Sequence, residues 1–122
     1  MAVRTTRKSP LVLHRGAILW VNLSPTKGHE QSGRRPAIVV SAERFNRSTG
    51  LAIVVPITSK GRGTAMEVVI ETDTVHGIAL ASHVRAIDFS GRGVSIDSSS
   101  CPEEALSIIQ GMLITFIGGI EL

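Results

Sequence analysis

The chain has 122 residues, 43% of them hydrophobic, with 13 basic and 10 acidic side chains and a net charge of +3. That is one domain with enough apolar mass for a real core, which excludes wholesale disorder. Cys101 is the single cysteine, so an intrachain disulfide framework and a multi-cysteine zinc site are both excluded, and a reducing cytoplasm fits.

Residues 1–14 read as a basic, poorly ordered arm, and no long apolar stretch follows to make a secretory leader. Ala17–Leu23 is a β-rich run ending in Ser24-Pro25. Thr26–Arg34, with Gly28 and Gly33, reads as a long mobile loop. Pro36–Ser41 and Leu51–Ile57 are continuous apolar runs of strand length. Between them, Ala42–Asn46 can form one helical turn and Ser48-Thr49-Gly50 a tight turn. Pro56 places its strand near an edge or a bulge. Lys60–Thr64 is a second basic loop. Glu67–Ile70, Ile78–Ala81, Val84–Asp88 and Val94–Ile96 are short strands separated by turn residues. This rhythm predicts a mainly β chain, a small barrel of antiparallel strands.

The last segment changes period. Ser100 can cap a helix, Pro102 suits its first turn, and Glu103 and Glu104 favour its positive end. Leu106, Ile109, Leu113, Phe116, Ile117 and Ile120 then recur at helical spacing. Such a stripe must pack on the barrel or on a second subunit. Interrupted by Gln110, Ala105–Ile120 falls short of the about 20 apolar residues that a membrane span needs, so no membrane helix is expected.

Charge divides the chain. Residues 1–62 carry eleven basic and two acidic side chains, whereas residues 63–122 carry two basic and eight acidic ones. The asymmetry points to a polyanion-binding face made mostly by the first half, or to a solvated surface with uneven loops. Trp20, Phe45, Phe89 and Phe116 are the only aromatic side chains, too few for a base-stacking platform. Any nucleic acid must therefore be held mainly by charge and hydrogen bonds.

Candidate chemistry gathers in Gly28–Pro36 and Pro56–Lys60. Arg35, held extended by Pro36, can present a planar fork to a phosphate, or pair with Glu30 for stability. Thr58 and Ser59 follow a strand and can hold phosphate oxygens, or simply shape a turn. His29 and His83 can move a proton near neutral pH, or be structural. No Walker or dinucleotide glycine motif occurs, and no carboxylate or histidine cluster has metal-ligand spacing, so no cofactor is expected and any phosphodiester chemistry should be metal-independent.

The run Arg15-Gly16-Ala17-Ile18-Leu19-Trp20-Val21-Asn22-Leu23-Ser24-Pro25-Thr26-Lys27-Gly28-His29-Glu30-Gln31-Ser32-Gly33-Arg34-Arg35-Pro36-Ala37 closely resembles the opening of the MazF/PemK/Kid family of toxin endoribonucleases. The likeness continues through Phe45-Asn46, Val55-Pro56-Ile57-Thr58-Ser59, Gly77-Ile78-Ala79-Leu80-Ala81 and Val84–Asp88 to about Ile120, so that residues 15–122 form the toxin domain. No short motif decides it; the ordered set does. The resemblance implies an SH3-like, partly open β-barrel of the plasmid maintenance toxin fold with a C-terminal α-helix, assembled as a homodimer. It implies metal-independent, sequence-specific cleavage of single-stranded mRNA in the cytoplasm. It also implies a MazE-like antitoxin whose acidic C-terminal tail covers the RNA groove.

Residue by residue, the resemblance puts the catalytic arginine on Arg35, the phosphate-holding hydroxyl on Thr58 and the loop glutamate on Glu30, as a base or as an orienting partner of Arg35. Lys27, His29, Gln31, Arg34, Ser59, Lys60, Arg62 and Arg85 are the expected RNA contacts. One departure stands out: many relatives carry Asp-Gln where this chain has Ser82-His83. Ser82 cannot replace a carboxylic acid, and His83 is the candidate acid or base one position along. On a strand it would face the opposite way. Rival readings are a homologue that binds RNA or antitoxin without cleavage, and a gyrase-targeting toxin of the same fold, which would have no need of Glu30, Arg35 and Thr58.

Overall fold

The structure, a computed structural model, describes residues 11–23, 33–91 and 93–118. The elements run β1 (Ala17–Asn22), β2 (Arg34–Val39), α1 (Glu43–Thr49), β3 (Leu51–Thr58), β4 (Glu67–Glu71), β5 (His76–Leu80), β6 (Arg85–Asp88), β7 (Ser95–Ser100) and α2 (Glu103–Ile117). The seven strands form one antiparallel sheet in the order β4-β5-β3-β2-β1-β7, with β6 also pairing to β3.

Both faces of the central strands are buried, which is why their sequences are apolar without interruption. Ile18, Ile38, Val55 and Ile57 face one cluster, onto which α2 lays Ile109 and Leu113. Leu19, Val21, Ala37, Val39, Ala52 and Val54 face the other, covered by Leu13, Ile87 and Phe89. Alternate residues on each strand thus serve alternate cores. Leu13 is buried, so the packed body begins inside the segment expected to be an arm; residues 1–10 lie outside the described residues.

The curl of the sheet is fixed where its two ends meet. β4 and β7 are the outermost strands, and side chains of the β4–β5 turn reach β7. The Thr72 hydroxyl lies 2.8 Å from that of Ser99. Asp97 accepts from the Thr74 hydroxyl, from Trp20 Nε1 at 2.9 Å and from the Ser99 N–H at 3.0 Å. A latch of side chains stands where a closed barrel would have a backbone ladder, so the barrel is partly open.

These donors, the Thr74 hydroxyl foremost, hold the Asp97 carboxyl well below the usual carboxylate range. A depressed folded value contributes stability above the unfolded value of about 3.9 and loses it as pH falls toward the folded one. The stability advantage of the wild type over Asp97→Asn should therefore narrow below about pH 4. Acid unfolding followed by Trp20 fluorescence measures it; an advantage that holds or widens in acid would contradict the assignment.

Three local expectations change. Pro56 lies inside the sheet, not at an edge. On one flank of β3 the β6 pairing ends at Val54 and the β5 pairing begins at Ile57, so Pro56 stands in the gap between two neighbours, where a missing N–H breaks no ladder. Ser100 does not cap α2: it pairs with Ala17 as the last residue of β7, and Pro102 occupies the N-cap without a side-chain cap. The turn foreseen at Ser48–Gly50 is the end of α1, closed by Gly50 in the left-handed conformation (φ 74°).

Candidate active site

β2 begins two residues earlier than its apolar run, so Arg34 and Arg35 both belong to the strand, opposite Asn22 and Val21 of β1. A strand sends successive side chains to opposite sides, and the two arginines meet different fates. The Arg34 guanidinium is engaged: it donates to the Gly93 carbonyl, to the Trp20 carbonyl at 3.1 Å and to the Ser95 hydroxyl at 2.9 Å. Arg35 is exposed and makes no hydrogen bond or ion pair with any described residue.

Arg35 shares its side of the sheet with Ala37 and Val39. The β2–β3 ladder ends at Ala37 opposite Pro56, and continuing that register by two residues sets Arg35 across from Thr58. Both therefore stand at the rim of the same face. Thr58 Oγ1 accepts the Lys60 N–H at 3.2 Å. Its own proton remains available to donate to an anion. Ser59, Lys60 and Arg62 follow on an exposed loop.

Arg85, opposite Val54 at the start of β6, lies on the same face. Its Nη1 donates to the Leu23 carbonyl at 2.7 Å, just before residues 24–32. Arg85 and Arg34 thus hold the chain on either side of that segment. Lys27, His29, Glu30 and Gln31 fall within it and lie outside the described residues. Ser82 and His83 are exposed in a single 3-10 turn, Ala81–His83, and not on a strand. Strand alternation therefore does not govern where His83 points.

Two features of the site carry little signal in the sequence. Gly77 of β5 passes so close to β3 that a Cβ there would lie 2.7 Å from the Thr58 carbonyl and from the Ile57 side chain. Gly77→Ala should destabilise the fold by about 1–3 kcal/mol through overpacking and shift Thr58, as urea unfolding will show. Glu67, first residue of β4, turns its carboxylate onto the 60–64 loop. Its oxygens accept the Arg62 N–H at 2.7 Å and the Gly63 N–H at 3.0 Å. Those bonds, that from Arg62 foremost, lower the carboxyl below its ordinary value. An acid a few residues beyond a basic Gly-rich loop was the available clue.

Cys101 takes no part. Burial pushes its thiol up to about 11, so the reactive thiolate is scarce at neutral pH. Among the described residues no three His, Cys, Asp or Glu side chains converge on a point where a metal could sit. No helix among them is long and apolar enough to cross a membrane.

A curled antiparallel half-barrel capped by a C-terminal helix, with an exposed arginine that bonds to no described residue and a hydroxyl at one rim beside a basic loop, defines a class of small β protein. The profile of the PemK-like, MazF-like toxin of type II toxin-antitoxin system family matches residues 14–117. The chain is 39% identical over 103 residues to the endoribonuclease toxin MazF of Escherichia coli strain K12, covering 84% of this chain and 92% of that protein. It is 36% identical over 116 residues to the Escherichia coli endoribonuclease PemK, covering 91% and 85%. The crystal structure of MazF from Deinococcus radiodurans superposes with a TM-score of 0.77 at 35% identity, covering 89% of this chain and 99% of that one. The MazE–MazF structure from the same organism gives 0.76 at 31% identity, covering 89% and 98%. The chain belongs to the PemK-like, MazF-like toxin family of type II toxin–antitoxin systems.

Proposed function

We propose that this toxin is an endoribonuclease that cleaves single-stranded mRNA in the bacterial cytoplasm, sequence-specifically and without a metal, and so arrests translation and growth. The observation that carries the reading is the contrast at the rim. Of the arginines on the strands around it, Arg34 and Arg85 donate to backbone carbonyls of the protein itself, whereas Arg35, across from the Thr58 hydroxyl, makes no bond with any described residue. A guanidinium that bonds to no described residue, beside a hydroxyl donor, is suited to a charge that arrives with the substrate.

In the reaction, the ribose 2′-oxygen attacks the adjacent phosphorus and gives up its proton. The bond from phosphorus to the 5′-oxygen breaks, and that oxygen takes a proton. The products are a 2′,3′-cyclic phosphate and a 5′-hydroxyl. Negative charge builds on the non-bridging oxygens. Arg35 stabilises it with its fork, and the Thr58 hydroxyl orients the phosphate. Glu30 orients Arg35, and His83 is the candidate proton carrier in the place of the absent aspartate. Lys27, His29, Gln31, Ser59, Lys60 and Arg62 contact the strand. Arg34 and Arg85 serve the site by holding β1, Leu23 and β7 around it, with their remaining donors turned to the strand of RNA.

The antitoxin in this reading is a MazE-like protein whose acidic tail competes for the same basic rim, a reading supported by the MazE–MazF relative. Two copies form the working unit. Ile114 and Ile117 of α2 are exposed and border a cleft of about 350 Å³ that Val40, Ile53, Val84 and Leu113 also line, an apolar face that an isologous partner would cover.

The deciding experiment is incubation of the antitoxin-free protein with a long single-stranded RNA in EDTA, with chemical identification of the new ends. Cyclic phosphate and 5′-hydroxyl ends are expected. Intact RNA across varied sequences, from antitoxin-free protein that still binds antitoxin when it is added afterwards, would instead make the chain a binding homologue.

A further inference from the structure

We propose that Glu67, an acid beside a surface meant for a polyanion, is a positioning residue for RNA binding: its carboxylate captures the Arg62 and Gly63 N–H groups and holds the basic loop folded in its binding shape. The inference rests on the ribonuclease reading above and assigns one further residue to it.

The loop from Thr58 to Thr64 is built on two side-chain acceptors. At its start the Thr58 hydroxyl takes the Lys60 N–H at 3.2 Å. At its end the Glu67 carboxylate takes the Arg62 N–H at 2.7 Å and the Gly63 N–H at 3.0 Å. Between these anchors the Lys60 and Arg62 side chains are exposed and make no bond with any described residue. Three of the loop's backbone N–H groups are thus held by the protein, and its cations are left for a ligand. Gly61 shows how closely the loop is wrapped: a Cβ there would lie 2.7 Å from Glu67 Oε1.

Charge and shape make opposite predictions, which is what makes the inference testable. By charge alone, deleting an acid next to a phosphate-binding loop should strengthen RNA binding. By shape, deletion frees the loop, and its ordering entropy must then be met at each binding event. We expect shape to dominate because the carboxylate is already partly neutralised by the Arg62 and Gly63 N–H groups it accepts, so its deletion relieves little repulsion while the loop loses its anchor at that end.

The experiment measures binding of a 2′-O-methyl RNA oligomer, which cannot be cleaved, by fluorescence anisotropy over a range of salt. Wild type is compared with Glu67→Ala and with Gly61→Ala. The second variant leaves every charge in place and only pushes the carboxylate aside. Both variants should bind about 5–10-fold more weakly, with a salt slope shallower by roughly one phosphate contact. Binding by Glu67→Ala that equals or exceeds wild type, or an unchanged Gly61→Ala, overturns the inference and leaves the ribonuclease reading standing. Should Glu67→Ala not fold, Gly61→Ala decides alone. Wild-type protein that neither binds this oligomer nor cleaves its 2′-hydroxyl counterpart overturns the ribonuclease reading itself, and the inference with it.

Discussion

Arg35→Ala should lower the single-turnover rate of RNA cleavage by about 10²–10³-fold while leaving the fold and its stability almost unchanged. The guanidinium is exposed and holds no described group in place, so no described group is orphaned by its loss. What disappears is a bidentate donor aimed at charge that develops only in the transition state, and such donors act on the rate more than on binding. Arg35→Lys keeps the charge but loses the planar fork, so it should recover only part of the rate. Arg34→Ala should behave the other way round. It strips donors from the Trp20 and Gly93 carbonyls and from Ser95, so stability and the tie between β1, β2 and β7 suffer first. Gel assays of cleavage under excess enzyme, alongside urea unfolding, separate the two. A variant series in which Arg34→Ala cost more rate than Arg35→Ala at equal stability would reverse the roles assigned here.

Residue type and spacing do not separate those two arginines; in the sequence only the family resemblance singles out Arg35. They are adjacent, identical in chemistry, and both precede the same proline. Only the pairing register decides which one turns to β7 and which stands at the rim. The same limit explains the strand at Ser95–Ser100. Its residues, Ser-Ile-Asp-Ser-Ser-Ser, carry almost no apolar signal because the strand lies at the sheet edge and meets its neighbours through hydroxyls and Asp97. A serine that ends such a strand looks, in sequence, like a serine that caps the next helix.

Where both faces of a strand are buried the reading was easy. Ala17–Asn22 and Leu51–Thr58 stand out as apolar runs because each alternate residue has a core to enter. The basic half of the chain likewise resolves into parts. Lys60 and Arg62 face solvent on one loop, whereas Arg34 and Arg85 also donate to backbone carbonyls, which leaves them fewer donors for a ligand. The remaining free charge should still make RNA affinity fall with salt, though less steeply than a simple count of arginines suggests.

Asn46→Ala should be the most destabilising single change outside the apolar cores, at about 3 kcal/mol. Asn46 is 1% exposed, on the inner side of α1. Its Nδ2 donates to the Leu13 carbonyl at 2.7 Å, and its Oδ1 accepts the Ser41 hydroxyl. Ser41 Oγ in turn accepts the Ile53 N–H at 2.9 Å. One amide therefore joins the segment before β1, the helix and the middle of β3. Truncation orphans a buried carbonyl and a buried hydroxyl at once, each costing about 1–3 kcal/mol. Asn46→Asp tests the hydrogen-bond account against simple loss of volume, because it keeps the size and replaces the donor by an acceptor. Ionised, it would set a carboxylate oxygen against the Leu13 carbonyl; protonated, it could donate again. Its folded pKa should be raised, so its deficit relative to wild type should shrink as pH falls through that value toward the unfolded one of about 3.9. Urea midpoints of wild type and both variants between neutral pH and mild acid give the result. A deficit for Asn46→Asp that does not change with pH would mean that packing, not the shared proton donor, is what Asn46 supplies.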